Sequence, residues 1–233
     1  FPSTPLSARR GSTVVTGLPL RAAIASLASS RKDAAGAAQA RREAAERLGV
    51  NPEAPTLLVT GGSLGALHVN ESMTGAADAL PEGAQVVHLT GRGKDEPVRA
   101  AVEAAGLSDR WHVIDYLTTM EDALAVADLV VCRSGAGTVA EMEALGLPCI
   151  YVPLPIGNGE QRLNAADHVA AGGAQLIDDK DFTAEFVRRN VFPLLGSTRL
   201  ADMAAASQSL GRAGAARALA DLALAQVKEG GHE

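Results

Sequence analysis

Aromatic residues are scarce: one Trp, two Tyr and four Phe make up 3% of the 233 residues. An interior must therefore be filled by Ala, Val, Leu and Ile, which suits Ala-rich helices laid on short aliphatic strands. Cysteine is nearly absent. Cys132 and Cys149 each sit in an apolar strand without metal-ligand spacing, so buried, reduced thiols of a cytoplasmic protein are expected. The histidines, at 68, 88, 112, 168 and 232, show no ligand spacing either, and no metal site is expected. No run approaches the ~20 apolar residues of a membrane span. Excess positive charge is also lacking: the formal net charge is −6, which argues against a nucleic-acid-binding domain.

The charge is uneven. Residues 1–47 hold eight Lys/Arg and three Asp/Glu (+5), while the remainder holds thirteen and twenty-four (−11). The basic part suits either an anionic partner or surface, or a plain solvated helix face at 31–47. The first residue is Phe rather than Met, and the chain is expected to be a fragment or processed product.

Along the chain, 1–11 reads as a Pro/Ser/Arg-rich loop and STVVTGLPLR (12–21) as a short strand ending in a Pro turn. Residues 31–48 form an Ala/Arg/Glu helix, stopped by Gly49 and the Asn51-Pro52 turn. A regular alternation follows. Strands are predicted at 56–60, 84–90, 111–115, 128–132, 149–153 and 174–177. Helices are predicted at 64–80, 95–106, 118–127, 137–145, 160–171, 183–195, 198–209 and 212–228. Six strands with helices between them imply an α/β fold with a doubly wound, mostly parallel sheet. Ligands of such sheets bind beyond the carboxyl ends of the strands. The turns after 56–60, 111–115, 128–132 and 149–153 all lie on that edge.

Those turns carry the informative residues. RSGAGT follows the strand 128–132, and Ser134, Gly135, Ala136 and Gly137 are four small residues ahead of a helix. A phosphate can press against bare backbone there, with the helix dipole behind it. Glu141, one turn further in, can hold a ribose diol. Alternatively, Thr138-x-x-Glu141 is a capping box and Glu141 binds nothing. In GGSLGA (61–66) two glycines permit close backbone approach and Ser63 can donate to a phosphate, or Ser63 can be a plain N-cap. Gln161 and Asn164 lie one turn apart at a helix start and can share a cleft. The backbone at Tyr116-Leu117 can read a base edge. Arg21 can neutralise a phosphate or simply be solvated. His68 and Asp115 are conceivable bases; a satisfied helix histidine and a turn-capping carboxylate are the plainer readings. A nucleotide diphosphate, specifically a nucleotide-sugar, is the ligand these turns suggest.

Taken in order, TGLPLR (16–21), VTGGSLGALHVN (59–70), YLTTM (116–120), ADLVVCRSGAGTVAEMEALGLPCIYVPLP (127–155) and EQRLNA (160–165) resemble the MurG family of N-acetylglucosaminyltransferases. The similarity spans roughly 12–228. It implies a Rossmann-like domain, the C-terminal half of a GT-B type glycosyltransferase. It also implies an inverting transfer of GlcNAc from UDP-GlcNAc to undecaprenyl-diphosphate-linked MurNAc-pentapeptide, lipid I becoming lipid II, in peptidoglycan synthesis. No cofactor is expected, UDP-GlcNAc being substrate. By resemblance, Ser63 and the turn Ala136, Gly137, Thr138, Val139, Ala140 and Glu141 would hold the diphosphate and sugar, with Arg21 nearby. The Leu117 backbone would read uracil, Glu141 the ribose hydroxyls and Gln161 the GlcNAc hydroxyls, with Asn164 a further contact. Leu18, Leu20, Gly137 and Glu160 depart from common family residues, which touches the fine shape of the sugar pocket and of the Arg21 turn.

The family's other domain supplies a Gly-rich loop, the proposed catalytic histidine and the acceptor site, and nothing here matches it. Residues 1–30 are therefore expected to be the inter-domain segment, 31–211 the donor domain, and 212–233 a helix packing back toward the other half. No catalytic base is assigned. The expected place is the cytoplasmic face of the membrane, peripherally bound. Two alternatives stand: a nucleotide-sugar-binding subunit needing a separate acceptor-domain partner, and a related UDP-sugar transferase with another lipid acceptor.

Overall fold

The computed structural model describes residues 14–62, 65–156, 158–211 and 214–230, the side chains of 226–230 excepted. Its helices and strands follow in the order α1 (Ala22–Ser30), α2 (Ala34–Leu48), β1 (Thr56–Thr60), α3 (Leu67–Thr74), β2 (Gln85–Leu89), α4 (Asp95–Ala104), β3 (Trp111–Ile114), α5 (Met120–Val126), β4 (Leu129–Cys132), α6 (Ala136–Leu145) and β5 (Cys149–Tyr151). Then come α7 (Glu160–Asn164), α8 (Ala166–Ala170), β6 (Ala174–Leu176), the short α9 (Ala184–Phe186) running into a π turn (Val187–Val191), α10 (Thr198–Leu210) and α11 (Ala215–Gly230). The six strands expected from sequence are all present. The described part of the segment 12–21 is not a strand, and its two valines, Val14 and Val15, are exposed. The helix α1 at 22–30 was not foreseen.

All six strands are parallel, in the order β3-β2-β1-β4-β5-β6. β1, β2, β4 and β5 are buried along their whole length, as parallel strands covered on both faces must be. Alternation along each strand divides the interior in two. Leu57, Val59, Val131 and Ile150 point to one side, with Phe182, Phe192 and Trp111. Leu58, Val87, Val130, Cys132 and Tyr151 point to the other, beneath Ile24 of α1 and Met142 of α6. The few aromatics are thus concentrated where volume is needed, and Trp111 meets Phe192 edge-on at a centroid distance of 6.4 Å.

Ion pairs tie α2 to the start of β4 and to α5. Arg41 forks onto Asp128, both contacts 2.9 Å, and also donates to the Pro52 carbonyl at 2.6 Å and the Ala54 carbonyl at 2.9 Å. Arg47 pairs with the buried Asp122 at 2.6 Å. The basic amino-terminal stretch therefore spends Arg41 and Arg47 on acids of the domain itself. Asp33 caps α2 by accepting from the Gly36 N–H at 2.8 Å, and Gly49 ends the helix in the left-handed conformation at φ 68°. Among the described residues no helix is long and apolar enough to cross a membrane.

Two buried histidines sit in hydrogen-bond chains that fix their neutral form. His88 Nδ1 accepts from Trp111 Nε1 at 3.3 Å, so Nε2 donates to Asn70 Oδ1 at 3.0 Å, and Asn70 Nδ2 donates to the Thr90 carbonyl at 3.1 Å. His168 takes the Tyr151 hydroxyl on Nδ1 at 2.9 Å and donates from Nε2 to Ser207 Oγ at 2.7 Å, leaving the Ser207 hydroxyl for the Met203 carbonyl at 2.9 Å. Burial depresses the pKa of His88 to about 3 and of His168 to about 4. An unfolded histidine takes up its proton near pH 6.5. The stabilisation from these two groups is thus complete above that pH and is lost as pH falls through about 4 for His168 and about 3 for His88. Urea unfolding should show stability falling by up to roughly 1.4 kcal/mol per pH unit for each histidine once the pH is below about 6, and His168→Gln should remove one share of that slope.

Candidate functional site

The order 3-2-1-4-5-6 places its switch point between β1 and β4, where the following segments diverge and leave a crevice at the carboxyl edge. A cavity of about 220 Å³ lies there. Arg21, Thr60, Gly62, Gly91, Asp115, Tyr116, Leu117 and the α6 residues Thr138, Glu141 and Met142 are among its lining.

Its most telling wall is the start of α6. The N-cap is Gly135, which offers no side chain to the helix, and Thr138 is therefore the third helical residue rather than a cap. The N–H groups of Ala136, Gly137 and Thr138 carry no hydrogen bond among the described residues. Ala136 and Gly137 are exposed, and a methyl placed on Gly137 would meet nothing within 4 Å. Three orphan donors and the positive end of a ten-residue helix thus face open space, the arrangement an anion requires. The capping-box alternative fails on this geometry: Glu141 does not turn back to its helix but receives Arg21, Nε to Oε1 at 2.9 Å and Nη2 to Oε2 at 3.2 Å. That bond holds the Arg21 guanidinium above its usual pKa. Val139 is buried in the core, so only its backbone is available to the turn, while Ala140 is half-buried behind it.

The opposite wall is the turn after β3. Asp115 Oδ1 accepts the Tyr116 N–H at 2.6 Å, which makes it the turn-fixing carboxylate. Leu117 is left with its N–H and C=O unbonded among the described residues, a donor and an acceptor side by side on the cavity wall. Arg92 covers the Tyr116 ring, 3.7 Å from its centroid.

The glycine turn after β1 closes the floor. Gly65 has φ +67°, and a side chain there would strike the Thr90 carbonyl at 2.1 Å. This forces the turn against the Thr90-Gly91 turn after β2, which the Trp111–His88–Asn70 chain anchors. Ser63 lies outside the described residues. The N-cap of α3, which starts at Leu67, is Ala66. His68 is half-buried, with its Nε2 enclosed and without a partner among the described residues.

Gln161 and Asn164 do not share a cleft. Gln161 lines a second recess of about 410 Å³ with Leu154, Ile156, Arg162 and Lys180. Its Oε1 accepts the Leu154 N–H at 3.0 Å. Asn164 is buried, and its Nδ2 donates to the Ser134 carbonyl at 3.0 Å, bracing the turn from behind. The recesses meet at Arg133, which lines the first and binds the Pro153 carbonyl and Asp179 of the second. Sequence reasoning passed over Arg133; its place directly after an apolar strand end, ahead of four small residues, was the available signal. Among the described residues no group of three His, Cys, Asp or Glu side chains clusters as a metal site.

These placements separate binding from bracing in a measurable way. Glu141→Ala removes a half-exposed pair and should cost at most about 1 kcal/mol of stability. Asn164→Ala leaves a buried carbonyl short of a donor and should cost roughly 1–3 kcal/mol. Chemical denaturation of the two variants beside the unaltered chain checks the order.

Residues 56–219 match the family described as the glycosyltransferase family 28 C-terminal domain. The chain is 47% identical over 236 aligned residues to a Bifidobacterium longum protein named UDP-N-acetylglucosamine–N-acetylmuramyl-(pentapeptide) pyrophosphoryl-undecaprenol N-acetylglucosamine transferase, covering 94% of this chain and 59% of that one. A Streptomyces coelicolor protein of the same name is 44% identical, with 90% and 55% covered. The crystal structure of Acinetobacter baumannii MurG superposes with a TM-score of 0.67 at 28% identity, over 78% of this chain and 52% of that one. A putative UDP-N-acetylglucosamine 2-epimerase from Listeria monocytogenes shares the fold at 22% identity and a TM-score of 0.62. The chain thus spans between half and three-fifths of the length of these relatives, and it belongs to the glycosyltransferase family 28 C-terminal domain family.

Proposed function

We propose that this chain supplies the donor site of an inverting N-acetylglucosaminyltransferase that takes UDP-GlcNAc and an undecaprenyl-diphosphate-linked muramoyl-pentapeptide. The observation that carries the reading is the uncapped start of α6, with three unbonded N–H groups of which that of Thr138 lines the same crevice as Glu141 and the free Leu117 backbone. Each part of the donor has a counterpart. Leu117 N–H and C=O match the acceptor and donor of a uracil edge. Glu141 matches the ribose diol. The Ala136–Thr138 N–H groups and Arg21 match the diphosphate, and the recess at Gln161 the sugar hydroxyls. Asn164 and Arg133 hold the turn between them. Ser63 would add a phosphate contact.

In the transfer, the 4-hydroxyl of the muramoyl sugar attacks the anomeric carbon, the bond from that carbon to the diphosphate oxygen breaks, and UDP leaves with inversion. Negative charge grows on the diphosphate as the bond lengthens. Fixed N–H donors at a helix start stabilise that charge without reorganising, and removing one such donor typically costs on the order of 3 kcal/mol of barrier. The hydroxyl proton goes to a base that this chain does not provide; the reading assigns it to the amino-terminal part of full-length relatives. On this reading the exposed Leu219 and Leu222, three residues apart on one face of α11, would pack against that part. The acceptor's undecaprenyl chain places the whole enzyme at the cytoplasmic membrane surface as a peripheral protein.

Calorimetric titration with UDP-GlcNAc, in EDTA and with UDP-GalNAc and GDP-mannose as controls, tests the assignment. Saturable binding selective for UDP-GlcNAc is expected, and Glu141→Ala should weaken it about tenfold or more while the melting temperature holds. Equal affinity for GDP-mannose, or an unaltered affinity in the Glu141 variant, would remove the reading.

A further inference from the structure

Resting on the donor-site reading, we propose that Arg21 is a built-in placeholder for the nucleotide: unliganded, it occupies the Glu141 carboxylate that a ribose diol needs, and a diphosphate draws it away. The chain thereby favours nucleoside diphosphates over nucleosides through one exchangeable ion pair.

The geometry makes the two ligands of Glu141 competitors. Arg21 engages one carboxylate oxygen with Nε at 2.9 Å and the other with Nη2 at 3.2 Å. A vicinal diol bound to a carboxylate uses the same pattern, one donor on each oxygen. The pair is also lopsided. The Glu141 side chain is 15% exposed and fixed on α6, whereas that of Arg21 is 55% exposed. The Arg21 backbone is held, since its carbonyl accepts the Ala25 N–H at 2.9 Å and Ile24, three residues on, is fully buried. Only the guanidinium arm is free to move. It lines the same cavity as Thr138, whose unbonded N–H belongs to the anion seat, so one arm lies within a single recess of both ribose and phosphate positions.

The strengths fit an exchange. A pair this exposed holds its partners together by roughly two- to fivefold. A guanidinium on a phosphate gains more, about tenfold or beyond, because both partners are charged and the helix start already concentrates donors there. A nucleoside must evict Arg21 and gives it nothing in return. A nucleoside diphosphate evicts it from Glu141 and re-seats it. Glu121 also acts on Arg21 electrostatically, which favours the resting position while the phosphate is absent.

The test is calorimetric titration of the chain and of Arg21→Gln, Arg21→Lys and Glu141→Gln with uridine and with UDP, after thermal unfolding has shown each variant folded. Arg21→Gln should raise uridine affinity about two- to fivefold and lower UDP affinity about tenfold or more. Arg21→Lys, which keeps charge but loses the fork, should also raise uridine affinity while retaining part of the preference for UDP. Glu141→Gln should weaken both ligands. A parallel loss of uridine and UDP affinity in Arg21→Gln would overturn the exchange, because Arg21 would then be holding Glu141 in place for the ribose. A fall for UDP with uridine unchanged would overturn it too, leaving a phosphate contact without competition. If the unaltered chain bound UDP no better than GDP, the donor-site reading itself would fall, and the exchange with it.

Discussion

Parallel pairing of β1 with β4 is the constraint from which the site follows. It sends the crossovers on either side in opposite directions, and the segments leaving the two strands cannot fill the gap between them. The register makes this gap shallow and shared. Thr60 stands opposite both Leu89 and Cys132, and Cys132 opposite Tyr151, so four strands end at one level. Because those strands are buried on both faces, polar chemistry has no outlet along their length. It collects at the edge, in 61–66, 115–117, 133–138 and 152–160. A glycine N-cap at 135 then leaves the α6 donors uncommitted, where a Ser or Asp would have satisfied them.

An open anion seat of this kind is useful only if it is rigid, and the buried polar residues are spent on rigidity. Asn164 reaches the Ser134 carbonyl from behind the turn. Arg133 joins the carbonyls of Val152 and Pro153 to Asp179. The chain from Trp111 through His88 and Asn70 ends on the Thr90 carbonyl, against which Gly65 packs without a side chain. Apart from Arg133, which also lines the cavity, these residues touch the site only through others. Each is enclosed in low-dielectric surroundings where an unmet partner is costly, and that holds the turns to one geometry.

The sheet was legible because its strands are short apolar runs between glycine turns, a pattern that survives without aromatic residues. The helices after them were legible from the same alternation. α1 was not: AAIASLASS has neither a capping side chain nor a strong apolar stripe, and its helix depends on burying Ile24, Leu27 and Ala28 against α6 and α2. The single helix expected at 160–171 is broken after Asn164. Residue type pointed to Glu141 and the 136–138 turn, whose Thr138 and Glu141 line one cavity, whereas periodicity alone placed Asn164 beside Gln161. A carbonyl two elements away claimed its amide instead. Contacts made across long sequence separations are what local pattern cannot carry.

The charge asymmetry illustrates the same limit. A basic stretch at 1–47 ahead of an acidic remainder suggests a partner outside the chain, yet Arg21, Arg41 and Arg47 find Glu141, Asp128 and Asp122 within it. The pairs differ in how tightly each cation is engaged. Arg41 adds two backbone carbonyls to its carboxylate, and Arg47 serves an aspartate that is almost wholly buried, so losing Arg47 would strand a carboxylate that water barely reaches. Arg21, as exposed as Arg47, adds no further bond, and its partner Glu141 lines the open cavity. Of the three it alone is at the carboxyl edge, beside a seat built for negative charge. One electrostatic complementarity therefore serves two ends: at Asp128 and Asp122 it fastens α2 to the start of β4 and to α5, and at Glu141, on the cavity wall, it leaves a partner that a ligand can replace.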